Sequence, residues 1–600
     1  MSEKLLSRNE VDVNLTWDLS HIYQGEEEYQ KALSEAVQMG KDLEKYKGKL
    51  NNVDTILRCI EDFEKLYIKA YQLGAYASLA VSVDETNQDN QTRAMKFEVT
   101  ASEVLSSVSF IESELKEAEY DVLEEAINKT KEYRVYLEKI KKSKAYTLHP
   151  EVEKALASLS PVLDSPSRIY NQAKLVDMDF KPFTVDGKEY PLSFVLFENQ
   201  WEMDPNTKVR RTAFNAFSEK LEQYKHTIAS AYQTQLQKEK TLANMKGHKS
   251  IFDYLLFDQD VDRELYDRQI DVIMEKLAPH MRRYAKLIKK LYNLDKVTFA
   301  DLKVPIDPEY DPKVTVEESK KYSLESLAIM GEEYLNIVKK AFDERWIDFA
   351  QNKGKSTGGF CASPYGVHSY ILLSWTGQMG DLFTLVHELG HAGHFYIGQK
   401  HNNMFSEEPS LYFIEAPSTI NEMLLSNHLI EQEDDPRFKR WVLSSMVGNT
   451  YYHNFVTHLL EAAYQREVYK IIDAGGSVHA DKLSEIKREV LEKFWGDAVE
   501  INKGAELTWM RQPHYYMGLY PYTYSAGLTV ATDVSQRILK EGQPAVNDWL
   551  EVLKAGGTKS PVELAKMANV DITTDQPLNR TIEFIGGLID QIEQLTEEIK

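Results

Sequence analysis

The residues best suited to chemistry lie in segment 384–394, where two histidines and a glutamate are spaced as His-Glu-x-x-His. His387 and His391 are four residues apart, so on a helix both imidazoles project from one face, one turn apart. Two imidazoles so placed can bind one Zn²⁺ at about 2.0–2.1 Å each. Glu388 follows the first histidine, where its carboxylate can reach a metal-bound water without binding the metal. The pattern indicates metal-assisted hydrolysis, which needs a Lewis acid, an open coordination position and a nearby base.

A third protein ligand must come from elsewhere in the chain. His394 shares the helix face, but it lies about 10 Å from His387 along a straight helix, too far to complete a tetrahedron with it. We therefore expect His394 to have a core role or to support a ligand. The alternative is a carboxylate from the next segment, and the candidates are Glu407, Glu408, Glu415 and Glu422.

These four acids differ in their surroundings. Glu407 and Glu408 precede a proline in a polar loop, where solvated charges are the ordinary explanation. Glu415 lies in an apolar stretch at a predicted helix start, because Pro417 is tolerated only in a first helical turn. Burying such an acid is costly without a partner, and a cation would supply one. Glu422, seven residues on, faces the same side and could orient a ligand imidazole.

A second candidate group lies near the C-terminus, in segment 513–524. It contains one histidine, His514, and five tyrosines within ten residues. Phenol and imidazole donors here could face the metal and hydrogen-bond the oxyanion that develops on a scissile carbonyl. Aromatic core packing is the alternative, above all for Tyr515 and Tyr516.

The elements that must position these residues are mostly helices. Apolar residues recur at helical spacing from Glu26 to about Tyr146, and long helical segments resume after about residue 200. Asp381 is placed to cap the helix that carries the histidine pair, and segment 367–375 has strand composition. An exposed strand edge within the strand-like run 360–375 would align an extended peptide through main-chain hydrogen bonds. Segment 183–190 predicts two short strands around an Asp-Gly turn.

Length and composition limit the possible functions. The chain has 600 residues, more than a single hydrophobic core usually organises, and we place a domain boundary near residue 200, giving an N-terminal helical domain over 1–200 and a catalytic domain over 201–600. The net charge of −23 argues against general affinity for nucleic acid or anionic lipid. Two cysteines cannot form a disulfide framework, and no apolar run is long enough for a membrane span. We expect a soluble, acidic, cytoplasmic protein.

Two segments together carry a family resemblance. His387–His391 followed by Ile414–Ser418 resembles the thimet-oligopeptidase-type metallopeptidases, and among them the bacterial oligoendopeptidase F group. The resemblance covers most of the chain from about residue 200, and the helical N-terminal region is in keeping with it. It implies a mainly α fold in which two helical substructures flank a deep cleft, with a zincin-like catalytic domain and a small β-sheet beside the zinc helix.

The resemblance also assigns roles to residues. It implies one Zn²⁺ per chain, bound by His387, His391 and Glu415, with Glu388 as the general base. The family's His and Tyr cluster, which binds substrate and stabilises the transition state, maps onto segment 513–524. We transfer its catalytic roles to His514 and Tyr522 and its substrate contacts to Tyr520 and Tyr524. Because the spacing of this cluster varies in the family, the tyrosine assignment could shift by two residues. Thr419 stands where the family often has Gln, and we expect no effect on the metal.

The prediction from sequence is therefore a zinc endopeptidase that hydrolyses internal bonds of short, unstructured peptides, with neither nucleic acid nor membrane as partner. The oligomeric state stays open. One alternative is a metallocarboxypeptidase on a related helical scaffold, which would need a cation such as Arg511 for the substrate's terminal carboxylate. Another is a non-catalytic peptide-binding protein that retains the motif. A zinc deaminase is excluded, because its Pro-Cys-x-x-Cys partner motif is absent.

Overall fold

The computed structural model describes residues 5–599, which form mostly α-helices. The N-terminal third contains α1 (Glu26–Leu43), α2 (Val53–Val83), α3 (Gln88–Val108), α4 (Phe110–Glu117), α5 (Tyr120–Lys129), α6 (Arg134–Lys144), α7 (Pro150–Leu163), α8 (Ser165–Gln172) and α9 (Phe194–Asn199). Then follow α10 (Thr207–Met245), α11 (Ile251–Phe257), α12 (Arg263–Lys276), α13 (Ala278–Leu291), α14 (Val316–Ser326), α15 (Glu332–Asp343), α16 (Met379–His401), α17 (Ala416–Gln432), α18 (Pro436–Ser445), α19 (His458–Asp473), α20 (Ala480–Trp495), α21 (Pro521–Glu541), α22 (Gln543–Ala555), α23 (Pro561–Met567) and α24 (Gln576–Glu598). The mainly α prediction is confirmed.

Two hydrophobic cores organise these helices. The N-terminal core draws its buried residues from segment 23–140 and includes the fully buried Cys59, which packs as a small apolar residue. The larger core takes its buried residues from segment 170–592. A smaller cluster joins the N-terminal segment to the sheet beside it, with Trp17 packed edge-on against Tyr370 at 5.8 Å. The predicted boundary near residue 200 stays a prediction.

The predicted hairpin is present between α8 and α9. Strand β1 (Phe183–Val185) pairs antiparallel with β2 (Lys188–Tyr190). The two residues between the strands, Asp186 and Gly187, have φ of 51° and 80°. Positive φ at both positions is the type I′ turn, whose twist matches that of the strands and which Asp-Gly favours.

A three-stranded sheet lies beside α16. Strand β3 (Ile347–Asp348) runs parallel to β5 (Tyr370–Leu372), and β4 (Phe360–Ala362) pairs antiparallel with the other side of β5. The predicted strand over 367–375 is therefore shorter than expected. One reason is the turn before it, where the hydroxyls of Ser363 and Ser369 hydrogen-bond at 2.8 Å. Strand β4 is an edge strand of this sheet, as the sequence led us to expect of one strand near the metal helix.

The helix that carries the histidine pair begins at Met379, two residues before Asp381. Asp381 is not its cap but its third residue, and its carboxylate accepts hydrogen bonds from the backbone N–H groups of Thr376 (2.6 Å) and Gln378 (3.2 Å). An acid in the first turn satisfies unpaired donors and favours the positive end of the helix dipole. Within the described residues, no helix is both long and apolar enough to cross a bilayer.

Candidate metal centre

Three side chains from two helices converge on one point. The Nε2 atoms of His387 and His391 each lie 3.3 Å from Oε2 of Glu415. Donor atoms about 2.0–2.1 Å from a tetrahedral ion stand about 3.3 Å apart, so this spacing fits a Zn²⁺ site. The two nitrogens and one carboxylate oxygen are also the donors that zinc prefers. Of the four acids weighed as third ligand, only Glu415 belongs to this group.

Close helix packing brings the ligands together. Glu415 is the residue just before α17, and Pro417 occupies the first turn, as predicted. A Cβ added at Gly390 on α16 would lie 2.5 Å from Cα of Ser418, so only glycine lets the two helices approach this closely. Helix α21 is near on the other side, since a Cβ at Gly527 would lie 3.2 Å from Cβ of Glu415.

Glu422 supports the first histidine, as the sequence indicated. Its Oε1 accepts a hydrogen bond from Nδ1 of His387 at 2.6 Å, and its Oε2 accepts one from the hydroxyl of Thr450 at 2.7 Å. This arrangement assigns the imidazole proton to Nδ1 and leaves the lone pair of Nε2 directed at the metal position.

The electrostatics of the group favour a cation. Burial alone would lower the pKa of His387, but hydrogen bonds to Glu415 and Glu422 raise it well above its usual value. Burial alone would raise the pKa of Glu415, but hydrogen bonds from His387 and His391 hold it well below its usual range. The raised pKa of His387 and the lowered pKa of Glu415 therefore both indicate that a positive charge is stabilised at this point.

Glu388 lies beside the donor group without being part of it. Its side chain is buried, and burial raises its pKa although His387 and His391 oppose that effect. A carboxyl with a raised pKa is better matched to taking and giving a proton near neutral pH. A Cβ at Gly359, just before β4, would lie 3.5 Å from Oε1 of Glu388, so the edge strand starts next to this carboxylate.

A cleft of about 550 Å³ opens in front of these residues, and His387, Glu388 and Glu415 line it. Much of one wall is a π-helical segment, Met446–Thr457, between α18 and α19. Helices with this wider hydrogen-bond pattern are frequent at functional sites. Neither this wall nor its cleft-lining His453 was predicted from the sequence. The available signal was the run of Asn, Thr, Tyr and His side chains at 449–454 inside an otherwise helical segment.

The C-terminal cluster is only partly in the cleft. Tyr524 lines it, and Nε2 of His514 lies 3.4 Å from the Tyr524 hydroxyl, with Tyr520 stacked on the imidazole at 5.5 Å. Tyr522 does not reach the site, which corrects the catalytic role given to it. It is fully buried, and its hydroxyl donates to the side chain of Gln259. Two residues along a helix rotate by about 200°, so Tyr522 and Tyr524 face opposite sides of α21.

The remaining candidates lie outside the donor group. His394 is buried in the core and contacts no ligand through a hydrogen bond, and burial lowers its pKa to about 3. Glu407 is not the solvated loop residue expected from sequence. Its side chain is buried, which raises its pKa to about 8, and the backbone of its loop packs against Gly556 and Gly557.

Comparisons with known proteins find relatives that match the chain along its length. The family described as Peptidase family M3 matches residues 201–584, and that described as Oligopeptidase F matches 114–180. The chain is 31% identical to Oligopeptidase PepF of Bacillus subtilis, covering 100% of this chain and 90% of that protein. It is 27% identical to an Oligoendopeptidase F homolog of Lactococcus lactis subsp. lactis, covering 99% of each.

Solved structures share the fold over nearly the full length. The structure of oligoendopeptidase-F from Enterococcus faecium aligns with a TM-score of 0.74 at 25% identity and covers 95% of this chain and 99% of that one. A chain from Chlamydophila abortus aligns with a TM-score of 0.89 at 24% identity, covering 99% of this chain and all of the other.

Proposed function

Since the chain belongs to peptidase family M3 and is an oligopeptide-hydrolysing metalloendopeptidase, we propose that it uses one Zn²⁺ held by His387, His391 and Glu415, with Glu388 as general base. The observation that carries this assignment is the convergence of three donor atoms, with the Nε2 atoms of His387 and His391 each 3.3 Å from Oε2 of Glu415. The bound metal supplies a Lewis acid and a water of lowered pKa.

Glu388 moves the proton. Its carboxylate accepts a proton from the attacking water and passes it to the departing amine, which requires a group that can hold the proton between the two steps. The burial that raises its pKa supports this role. Glu422 keeps the imidazole of His387 in the tautomer that leaves Nε2 free to bind.

Tyr524 stabilises the charge that develops on the scissile carbonyl. Its side chain lines the cleft that Glu388 also lines, where a preoriented donor can hydrogen-bond an oxyanion. Nε2 of His514 contacts the Tyr524 hydroxyl, and the ring of Tyr520 stacks on the imidazole of His514. Tyr524 thus takes the role that was predicted for Tyr522.

The edge strand β4 binds the peptide backbone. Because β4 is an edge strand, the main-chain N–H and C=O groups on one side of it have no strand partner among residues 5–599. An extended peptide adding to that edge would be held without regard to most side chains, which suits an enzyme for varied oligopeptides.

The cation that the sequence offered for the carboxypeptidase alternative is already paired. The guanidinium of Arg511, the candidate from sequence, is 8% exposed and donates to Glu198 and Glu202 at 3.0–3.2 Å. Two carboxylates already balance its charge, so a substrate carboxylate would have to displace them. Amidation of a peptide's C-terminus should therefore leave its cleavage unchanged.

We also propose that the protein acts in the cytoplasm on free oligopeptides. Both cysteines are free thiols, as expected for a reducing compartment, and the charge of −23 gives no basis for nucleic-acid binding.

A metal and product measurement tests the function. Purified protein should contain about one zinc per chain by plasma mass spectrometry. It should cut a mixture of unstructured peptides at internal bonds, as seen by mass spectrometry of the products. A chelator should abolish cleavage and added Zn²⁺ should restore it. Folded protein that binds no transition metal would contradict the assignment.

A further inference from the structure

Glu461, on α19, lies behind the cleft wall between two histidines. It is 3% exposed, and its Oε2 accepts a hydrogen bond of 2.7 Å from Nδ1 of His458. The same oxygen lies 3.9 Å from Nδ1 of His514, a buried nitrogen that has no hydrogen-bond partner. One carboxylate oxygen therefore faces both imidazoles.

Each of these two histidines contacts a residue that lines the cleft. Nε2 of His458 is 3.0 Å from Nε2 of His453, and Nε2 of His514 is 3.4 Å from the Tyr524 hydroxyl. The ring of Tyr524 also stacks on His458 at 4.0 Å with an interplanar angle of 13°. His453 and Tyr524 both line the cleft that contains Glu388. Two chains of contacts therefore start at Glu461. One runs through His458 to His453 and the other through His514 to Tyr524, and both end at a residue that lines the cleft.

The carboxylate is anionic in this setting. Burial alone would raise the pKa of Glu461, but His458, His514 and Lys487 together hold it well below its usual range. An anionic acceptor assigns the proton of His458 to Nδ1 and fixes the plane of the ring on which Tyr524 stacks.

We propose that Glu461 is a positioning residue for peptide hydrolysis, which acts through His458 and His514 to fix the places of His453 and Tyr524 in the cleft. The inference rests on the proposed function of the site. The donor atoms of His458, Glu461 and His514 lie within 4.8 Å of one another, as in a metal site. Two distances favour hydrogen bonding instead: 2.7 Å is shorter than the roughly 3.3 Å between ligands of a tetrahedral zinc, and Nε2 of His458 already contacts His453.

The test is a double-mutant cycle between Glu461 and Tyr524. Glu461→Gln keeps the side-chain shape, and Tyr524→Phe removes only the hydroxyl. With an internally quenched peptide of about ten residues as substrate, Glu461→Gln should lower kcat about 10- to 100-fold, the range for loss of a residue that orients a site group. KM should change less than about threefold, because ground-state contacts remain. Tyr524→Phe should cost much less in the Glu461→Gln background than in the wild type.

Glu239→Gln is the matched control. Glu239 is equally buried but hydrogen-bonded to Tyr469 and Gln235 rather than to a histidine, so kcat should stay at the wild-type value. Additive losses in the cycle, or an unchanged kcat in Glu461→Gln, would overturn the inference. So would a second equivalent of zinc that the Glu461 variant loses.

The outcome is separable from the proposed function. An inactive wild-type enzyme with zinc bound would remove the proposed function itself, whereas an active wild type with a fully active Glu461→Gln would remove only the role of Glu461. Should Glu461→Gln fail to fold, Glu461→Asp retains the charge at a greater distance and carries the same kinetic cycle.

Discussion

The carboxylate of Glu422 accepts a hydrogen bond of 2.6 Å from Nδ1 of His387, on the ring nitrogen opposite the metal position. The bond fixes the ring orientation and tautomer, and it increases the basicity of Nε2. Glu422 thereby acts on the metal position through His387, although its own carboxylate lies outside the ligand group.

Glu422→Gln should weaken zinc binding by about 10- to 100-fold, because the anionic acceptor behind His387 is lost. Titration of apo protein against a competing fluorescent zinc chelator measures the affinity. Glu431→Gln, at an exposed position of the same helix, is the control and should bind zinc like the wild type. Equal affinities in the two variants would show that the Glu422 contact does not tune the ligand.

Glu388→Gln should retain zinc and lose turnover. The amide cannot accept the proton of the attacking water, and proton transfer by a positioned residue contributes about 10²- to 10⁴-fold to the rate. The variant's zinc content and its kcat on the quenched peptide give the two readouts. A variant that loses its zinc would identify Glu388 as a ligand, contrary to its place outside the donor group.

Two parts of the proposed ligand set follow from local spacing, whereas the convergence of Glu415 on the histidine pair depends on the packing of α17 against α16. His387 and His391 had to share a helix face whatever the rest of the fold, and Pro417 required a helix to start near Glu415. The Asp186-Gly187 turn was likewise set by local backbone preference and is confirmed.

The residues that sequence misplaced depend on long-range packing. Tyr522 and Tyr524 are equally plausible donors until the rotation of α21 against Gln259 is known, and that hydrogen bond spans 263 residues. Glu407 has the sequence environment of a solvated loop, yet its side chain is buried and the backbone of its loop packs on glycines distant in sequence. His453 belongs to a π-helical segment, and no residue pattern reliably indicates that wider helix.

Gly390→Ala should reduce both stability and zinc affinity. The new Cβ would lie 2.5 Å from Cα of Ser418 and 2.6 Å from the carbonyl oxygen of Pro417, so α16 and α17 must separate. Overpacking of this kind costs about 1–3 kcal/mol. Chemical denaturation of the metal-free proteins measures the free energy of unfolding.

Gly380→Ala is the matched control for that measurement. Gly380 lies on the same helix, and a Cβ there would meet nothing within 4 Å. Its free energy of unfolding should rise by about 0.4–1 kcal/mol, because alanine restricts the unfolded chain without strain in the helix. A Gly390→Ala protein as stable as Gly380→Ala would mean that the two helices can separate at little cost.

Because of His368, the free energy of unfolding should decrease when the pH is lowered from 7 to 5. Its ring stacks on Trp346 at 4.6 Å, and its Nε2 lies 2.7 Å from Nδ1 of His21 in the N-terminal segment. Burial lowers the pKa of His368 to about 4. Between that value and the unfolded value of about 6.5, the unfolded chain binds more protons than the folded one, so stability decreases as pH falls through this window. Between pH 7 and 5 the loss of stability from this group is about 2 kcal/mol.

Denaturation curves of the wild type and His368→Gln at both pH values isolate the contribution of His368, because other titrating groups contribute equally to the two proteins. An equal pH dependence in both would show that His368 is protonated in the folded state as readily as in the unfolded chain.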